Sequence, residues 1–577
     1  MSNPVLASHP PARRAAPLAE AALALVLLVA TLAAYAPSMR APFVFDDFAA
    51  VTDNPTIRRL DDLGAVLSPP DDGRAVTGRP FVNLTFALNH AISGEATWSY
   101  HLFNVGVHLL AALLLWRLLR RVLPDATLAW AMALLWTLHP LQTEAVSCIV
   151  QRTESLAGLL MLVTLFAFVR AVEAPRHAGR WLALAWAASF AGMATKEVVA
   201  VVPLLVFLYD RTFLAGSYRE AWLRRGRWYG MLALNWVLLG WLLWRSGGTR
   251  GTAAGFASGV STWGYLKLQA AAIVHYLRLV FWPHPLVLDY GSAAPVALAE
   301  VWWQGTIVLA ILGLTIWAMV RRPAAGFAGA WGFIILAPSS SFIPLAAQPI
   351  AEHRMYLPLA GILALLGAAA WSRLGRRTLG PLLGLGLVAG LATAQRNAVY
   401  RTELGLWADT VEHAPDNPRA LGNLGALLLE AGRNEEAAVV LARALTFTPE
   451  IPELLSNLGE AETRLGRLTE AVAHGERAGR LAPDQPRFRE NLARSLYLEG
   501  NAAMARRDLP AAMEALRRAA ELDPDDPAIH TNFANMLLLA GRIDEAIAGY
   551  REVLRRHPDD ARAQANLQRA LEMQATR

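Results

Sequence analysis

Long apolar runs, each closed by a short polar or arginine-bearing break, fill the chain from residue 17 to about residue 395. A helix that crosses hydrocarbon must satisfy its own backbone N–H and C=O groups, which takes about 20 predominantly apolar residues. Windows read on that basis predict eleven membrane helices, near 17–36, 101–119, 126–139, 155–172, 181–195, 198–210, 228–245, 303–320, 324–338, 356–371 and 378–395. Beyond 395 the pattern changes: charged residues interleave with small and aliphatic ones at helical spacing, and no run is long enough to span. The expected fold class is all-α, with a polytopic membrane domain over 1–395 followed by helices that face water.

The second region repeats. Asn423 and Asn457 each open an NLG triplet, Asn491 an NLA and Asn532 an NFA; Pro415, Pro449, Pro483, Pro524 and Pro558 follow at intervals of 34, 34, 41 and 34. Small residues recur at one position (Gly425, Gly459, Ala493, Ala534) and again twelve residues on (Ala437, Ala471, Ala546), where paired helices approach closely. This pattern resembles the tetratricopeptide repeat. The single long interval carries seven extra residues, close to two helical turns, so a longer helix near 487–506 keeps its buried face in register. Residues 415–577 are the predicted α-solenoid, 396–414 a connecting half repeat, and the segment after Pro558 a terminal capping helix. Such solenoids offer concave surfaces to peptides or partner proteins.

Composition narrows the classes. The 577 residues are 55% hydrophobic and 17% charged, with a net charge of +6. Only Lys196 and Lys267 are lysines, and the arginines form no stripe with interleaved aromatics, which argues against a nucleic-acid partner. One cysteine, Cys148, excludes an internal disulfide and any CxxC centre. Arg13 and Arg14, the apolar run and Ala34-Tyr35-Ala36 fit either a cleaved signal peptide or an uncleaved first span, and the spans that follow favour the latter.

Arginine-rich loops stay cytoplasmic. The clusters Arg117/Arg120/Arg121, Arg170/Arg176/Arg180, Arg211/Arg219/Arg224/Arg225/Arg227, Arg321/Arg322 and Arg373/Arg376/Arg377 fall on one side, with Arg13 and Arg14, if residues 247–302 do not cross. The apolar stretch 264–283, which carries Lys267, His275 and Arg278, is therefore expected to be re-entrant or interfacial. The loop 38–98, the His139-Pro140 turn, Lys196-Glu197, residues 351–354 and everything after 395 then face the outer side. For a bacterial chain this means an inner-membrane protein with periplasmic repeats.

Taken singly, the polar groups in those loops have bland readings: Asp46-Asp47 caps a loop helix, Lys196-Glu197 snorkels, His139-Pro140 ends a span. Tyr100, His101, Asn104 and His108 lie along one side of a span and read best as hydrogen-bonded packing. Glu144, Arg152 and Glu154 are better placed for a site. Ionisable groups at membrane depth are costly and mark substrate paths, so several on one face suggest a cavity.

The stretches "FVFDD", "RPFVNLTFALNH", "WSYHLFNVGVHLLAALLLW", "HPLQTEAVSCIVQRTESLAGLL", "KEVVAVVPLLVFLYDR" and "AQPIAEHRMYLPLAGI", in this order, resemble the transmembrane and tetratricopeptide-repeat proteins. Those proteins are similar to the polyprenyl-phosphate-dependent protein O-mannosyltransferases of the GT-C fold. The resemblance implies an inverting glycosyltransferase that moves a sugar from a polyprenyl-phosphate carrier to Ser or Thr hydroxyls of exported proteins captured by the repeats. The family's acidic pair falls on Asp46 and Asp47. One carboxylate within reach of the hydroxyl suffices as base, and the lipid phosphate leaves as an anion that needs donors and positive charge. Arg354, His353, Lys196 and Arg152 are the candidates for that role, with Glu144 and Tyr356 beside them. His353 and Met355 flank Arg354 where the family carries another pattern, which leaves Glu352 as an alternative acid of this loop. A divalent cation between the two aspartates is compatible with the pair but not required by it. The competing classes are a membrane-anchored repeat scaffold without catalysis and a lipid or polymer exporter; an anchor needs one span, not eleven.

Overall fold

The computed structural model describes residues 17–247, 259–341 and 343–576. Arg13, Arg14 and residues 248–258 of the stretch expected not to cross lie outside the described residues. Contacts divide the chain into two compact units, Met1–Asp409 and Thr410–Arg577.

In the first unit each apolar window is helical, but the helices are unequal. Six stretches are long and apolar enough to cross a bilayer: Leu18–Ser38, Trp98–Val122, Arg152–Glu173, Glu197–Ala215, Leu298–Arg321 and Pro358–Val399. The last, 42 residues long, is two helices, Pro358–Leu374 and Leu379–Val399, joined by a turn of 3₁₀ helix at Gly375–Thr378. Ala126–Thr137 and Pro323–Leu336, of 12 and 14 residues, rise only about 18 and 21 Å, short of a hydrocarbon core of about 30 Å. The eleven windows are therefore not eleven full-length spans.

Charge separates the two ends of the bundle. Arg120 pairs with Glu20 (2.8 Å), Arg121 with Glu173 (2.7 Å) and Arg225 with Asp210 (2.5 Å), which gathers helix termini from distant parts of the chain into an arginine end. At the opposite, loop end, the Phe81 N–H donates to the Ala194 carbonyl (3.2 Å), the Val150 N–H to Asp47 (2.7 Å) and the Tyr290 hydroxyl to Glu352 (2.7 Å).

The short Ala126–Thr137 helix has a structural consequence. His108 donates its Nε2–H to the Thr137 carbonyl (3.0 Å), ten residues and so about 15 Å along the helix from Trp98. Asn104 donates to the Val146 carbonyl (3.1 Å), about 9 Å along the same helix. Residues 138–151 thus sit recessed inside the bundle. Irregular backbone at such depth persists only where protein groups or a cavity satisfy it. Here Asn104, Asp47, and the Ser147–Asn397 pair (2.5 Å) supply those partners.

The stretch 264–283 forms one regular helix, Thr262–Phe281. Along it Tyr265 donates to the Ser339 carbonyl (2.7 Å), Gln269 to the Pro349 carbonyl (2.9 Å) and Tyr276 accepts from the Ala351 N–H (2.9 Å), while its Val280 carbonyl accepts from His139 (3.0 Å). All four partners belong to loop-end segments, so this helix lies across that end, as an interfacial helix would, and does not traverse the bundle.

The second unit is a solenoid of paired helices, Pro418–Glu430 with Asn434–Phe447, Pro452–Arg464 with Leu468–Leu481, Pro486–Ala505 with Leu509–Leu522 and Pro527–Leu539 with Ile543–Arg556, followed by Ala561–Ala575. Proline opens each first helix, where its missing N–H has no intrahelical partner to lose. The third first-helix has 20 residues and the other three have 13, which places the seven extra residues where the sequence put them. Small residues serve close approach: a Cβ on Gly425 would lie 2.5 Å from Leu441 Cγ.

Candidate active site in the recessed loop end

The adjacent aspartates have different surroundings. Asp47 is fully buried; its Oδ2 accepts the Val44 N–H (3.0 Å) and its Oδ1 the Val150 N–H (2.7 Å). Burial pushes its carboxyl up to about 7, and the two backbone donors pull it back toward the ionised form they hold. Asp47 therefore staples its loop to the recessed segment, with one backbone donor on each oxygen. Asp46 is half-buried. It follows Phe45, whose φ of 51° is rare for a bulky residue and whose ring meets Trp407 edge-on at 5.4 Å. Strain at one residue beside a candidate base is a feature of organised sites.

Within the recess Glu144 holds His353 twice, accepting its backbone N–H at Oε2 (2.9 Å) and its Nδ1–H at Oε1 (2.7 Å). The imidazole, held far below its ordinary pKa by burial, is then neutral with its lone pair on Nε2. Burial pushes Glu144 up to about 7, against the pull of the His353 N–H and the charges of Lys196, Arg354 and Arg396. Glu352 accepts from the Val287 N–H (2.6 Å) and the Tyr290 hydroxyl (2.7 Å), and burial lifts it to about 8. Both donors reach the same oxygen, Oε1, and fix the loop around residues 287–290. Lys196 bonds Glu154 (2.6 Å) and Arg354 donates to the Pro349 carbonyl (2.7 Å).

Two residues expected in the site are not there. Arg152 is wholly buried and donates to Asn104 (2.9 Å), Asn89 (2.7 Å), Thr85 (3.2 Å) and the Tyr100 carbonyl (3.1 Å), with Phe86 and Phe103 against its face at 4.4 and 4.5 Å. Its donors are committed to packing, not to a phosphate. Tyr356 is equally buried; its hydroxyl donates to His108 Nδ1 (2.9 Å), the free lone pair of a ring whose Nε2–H goes to Thr137. Gly158 makes room for it, since a Cβ there would lie 2.7 Å from the Tyr356 ring. Tyr100, His101, Asn104 and His108 are buried packing groups, as expected.

Two arginines not singled out in the sequence join the cluster. Arg79 and Arg396 each bury an Nε with no acceptor among the described residues. Arg79 lies 3.8 Å from Glu197, and Arg396 pairs with Asp409 (2.5 Å). Arg396 had a readable signal: it is an arginine at the end of a helix opposite the arginine clusters. The fit of a resident divalent cation is poor, because among the described residues no three His, Cys, Asp or Glu side chains gather to hold one.

Residues 77–244 match the family described as dolichyl-phosphate-mannose-protein mannosyltransferase, and residues 404–450, 440–486 and 503–571 match tetratricopeptide repeats. The chain is similar to the TMTC protein O-mannosyl-transferases. It is 24% identical over 437 residues to a protein O-mannosyl-transferase of Caenorhabditis elegans, covering 72% of this chain and 61% of that one. It is 25% identical over 520 residues to Tmtc1 of Drosophila melanogaster, covering 71% and 60%, and 32% identical over 175 residues to human TMTC1, covering 28% and 20%. The TMTC-like chain thus spans about three-fifths of the length of the first two relatives. Among solved structures, its repeats align with YrrB, a TPR protein with an unusual peptide-binding site, at 20% identity and a TM-score of 0.25, over 30% of this chain and 84% of that one.

Proposed function

We propose that the membrane unit transfers a sugar, mannose by its family likeness, from a polyprenyl-phosphate carrier to Ser or Thr hydroxyls of polypeptides, and that the repeats hold the acceptor. The observation that carries this reading is the recess: loops from five parts of the chain converge on a buried segment where Glu144 and His353 form a dyad amid Lys196, Arg354 and Arg396. Asp46, held beside the recess by the Asp47 staple, accepts the hydroxyl proton as that oxygen bonds the anomeric carbon. The bond from the anomeric carbon to the phosphate oxygen breaks, and the phosphate departs as an anion. Lys196, Arg354, Arg79 and Arg396 supply the positive charge that stabilises it, so no acid need protonate the leaving group. A repeat array that holds a polypeptide raises the effective concentration of its hydroxyls at the membrane. In this reading the loop end faces the periplasm, since the arginine end stays cytoplasmic.

The test is transfer of labelled mannose from polyprenyl-phosphate-mannose to a Ser/Thr-rich peptide by the purified full chain. Incorporation that disappears with Asp46→Asn supports the reading. Undiminished incorporation by that variant removes the assigned base, and no incorporation by the wild-type chain with any polyprenyl-linked sugar removes the transferase.

A further inference from the structure

At the arginine end the bundle borders a half-open cavity of about 610 Å³. That size is within the range of about 300–1,000 Å³ typical of small-ligand sites. The last turns of Trp98–Val122, the Pro323–Leu336 helix and the face of Pro358–Leu374 that carries Ala360, Gly361, Ala364 and Ala368 form its walls. The small residues on that face hold the space open. From Ala360 to Ala369 it runs about 14 Å along the helix axis. Among the described residues, the only charged side chains that line it are Arg321 and Arg322. Both are exposed, and among the described residues neither is given a carboxylate partner, so their charge at the mouth of the cavity is available to an anion.

We propose that this cavity binds an anionic phospholipid of the leaflet at the arginine end, with its phosphate on Arg321 and Arg322 and one acyl chain in the apolar shaft. The position of the charges selects the occupant. A polyprenyl tail whose phosphate lay in the loop-end recess would bring only hydrocarbon to Arg321 and Arg322. A phospholipid entering from the arginine end matches charge with charge and chain with apolar wall. Basic pockets between membrane helices on the arginine-rich side bind acidic head groups for this reason. The site is independent of the transferase reading, because it uses none of the recess residues.

Native mass spectrometry of the detergent-purified full chain, titrated with palmitoyl-oleoyl-phosphatidylglycerol or the matching phosphatidylcholine, tests it. The wild-type chain should retain the glycerol lipid at least about tenfold better, and Arg321→Ala with Arg322→Ala should remove that preference without lowering the thermal midpoint. Ala364→Trp should block retention of both lipids, and Ala368→Leu serves as a milder filler should the larger side chain disturb folding. Equal retention of the two lipids by the wild-type chain overturns the proposal, as does a preference that survives loss of both arginines. It is also overturned if a cavity-filling variant keeps phosphatidylglycerol but loses undecaprenyl phosphate, which would make the shaft the seat of a polyprenyl tail.

Discussion

In the repeat unit Arg517 reaches Glu514 and Glu521, Arg542 reaches Glu545, and Arg555 and Arg556 share Glu552, all on exposed surface and within four residues of one another. In the membrane unit Asp47, Glu144, Arg152 and Glu352 are each at most 2% exposed, and each has a partner far away in sequence. The same residue types therefore carry different work. Water screens the repeat pairs, which keep the solenoid soluble and contribute little to stability. The recessed groups have no water to fall back on, so each must be satisfied by protein, and their arrangement is correspondingly fixed.

Substitutions can break that contrast in order of size. The largest effect is expected from Arg152→Met, which strands the acceptors of Asn104, Asn89 and Thr85 in the core and should cost at least about 3 kcal/mol. A detergent thermal midpoint equal to wild type would show that the core does not depend on it. Next is Asp47→Asn. One of its two backbone donors would then face an amide N–H, for a loss of about 1–3 kcal/mol, whereas Asp46→Asn, at a half-buried position, should lower the midpoint less. Equal effects of the two would erase the distinction drawn between the aspartates.

A smaller effect is expected from Glu352. Its folded carboxyl is raised to about 8 from an ordinary 4.5. Its contribution is full below about pH 4.5 and is lost as pH rises through about 8, because the folded state alone keeps the proton between them. Stability of the wild-type chain should fall across that window, and Glu352→Gln, which keeps an oxygen for Val287 and Tyr290, should flatten the slope of midpoint against pH. The smallest effect belongs to Arg517→Ala, for which scanning calorimetry should detect no change in the repeat unit.

How much of this was readable in the sequence follows the same division. Repeat helices announce themselves through a fixed period and small residues at fixed places, and even the long helix at Pro486–Ala505 followed from one interval of 41. Apolar runs located the membrane helices but not their lengths; that Ala126–Thr137 stops short, and so recesses Glu144, depends on packing that hydropathy does not record. The Glu144–His353 dyad was within reach because both residues stood out as polar groups in apolar context. Arg152 and Tyr356 stood out in the same way and proved to be packing residues, since residue type does not reveal which side chains on other helices complete a bonding set. The clue to Arg396 was an arginine on the side the charge rule disfavours.

Asp46 is the proposed base of a sugar transfer in the loop-end recess. Its most direct test is the intact mass of exported proteins from cells carrying the wild-type chain or Asp46→Asn at matched abundance. Hexose increments present with the first and absent with the second are the predicted result. The same increments in both would contradict it.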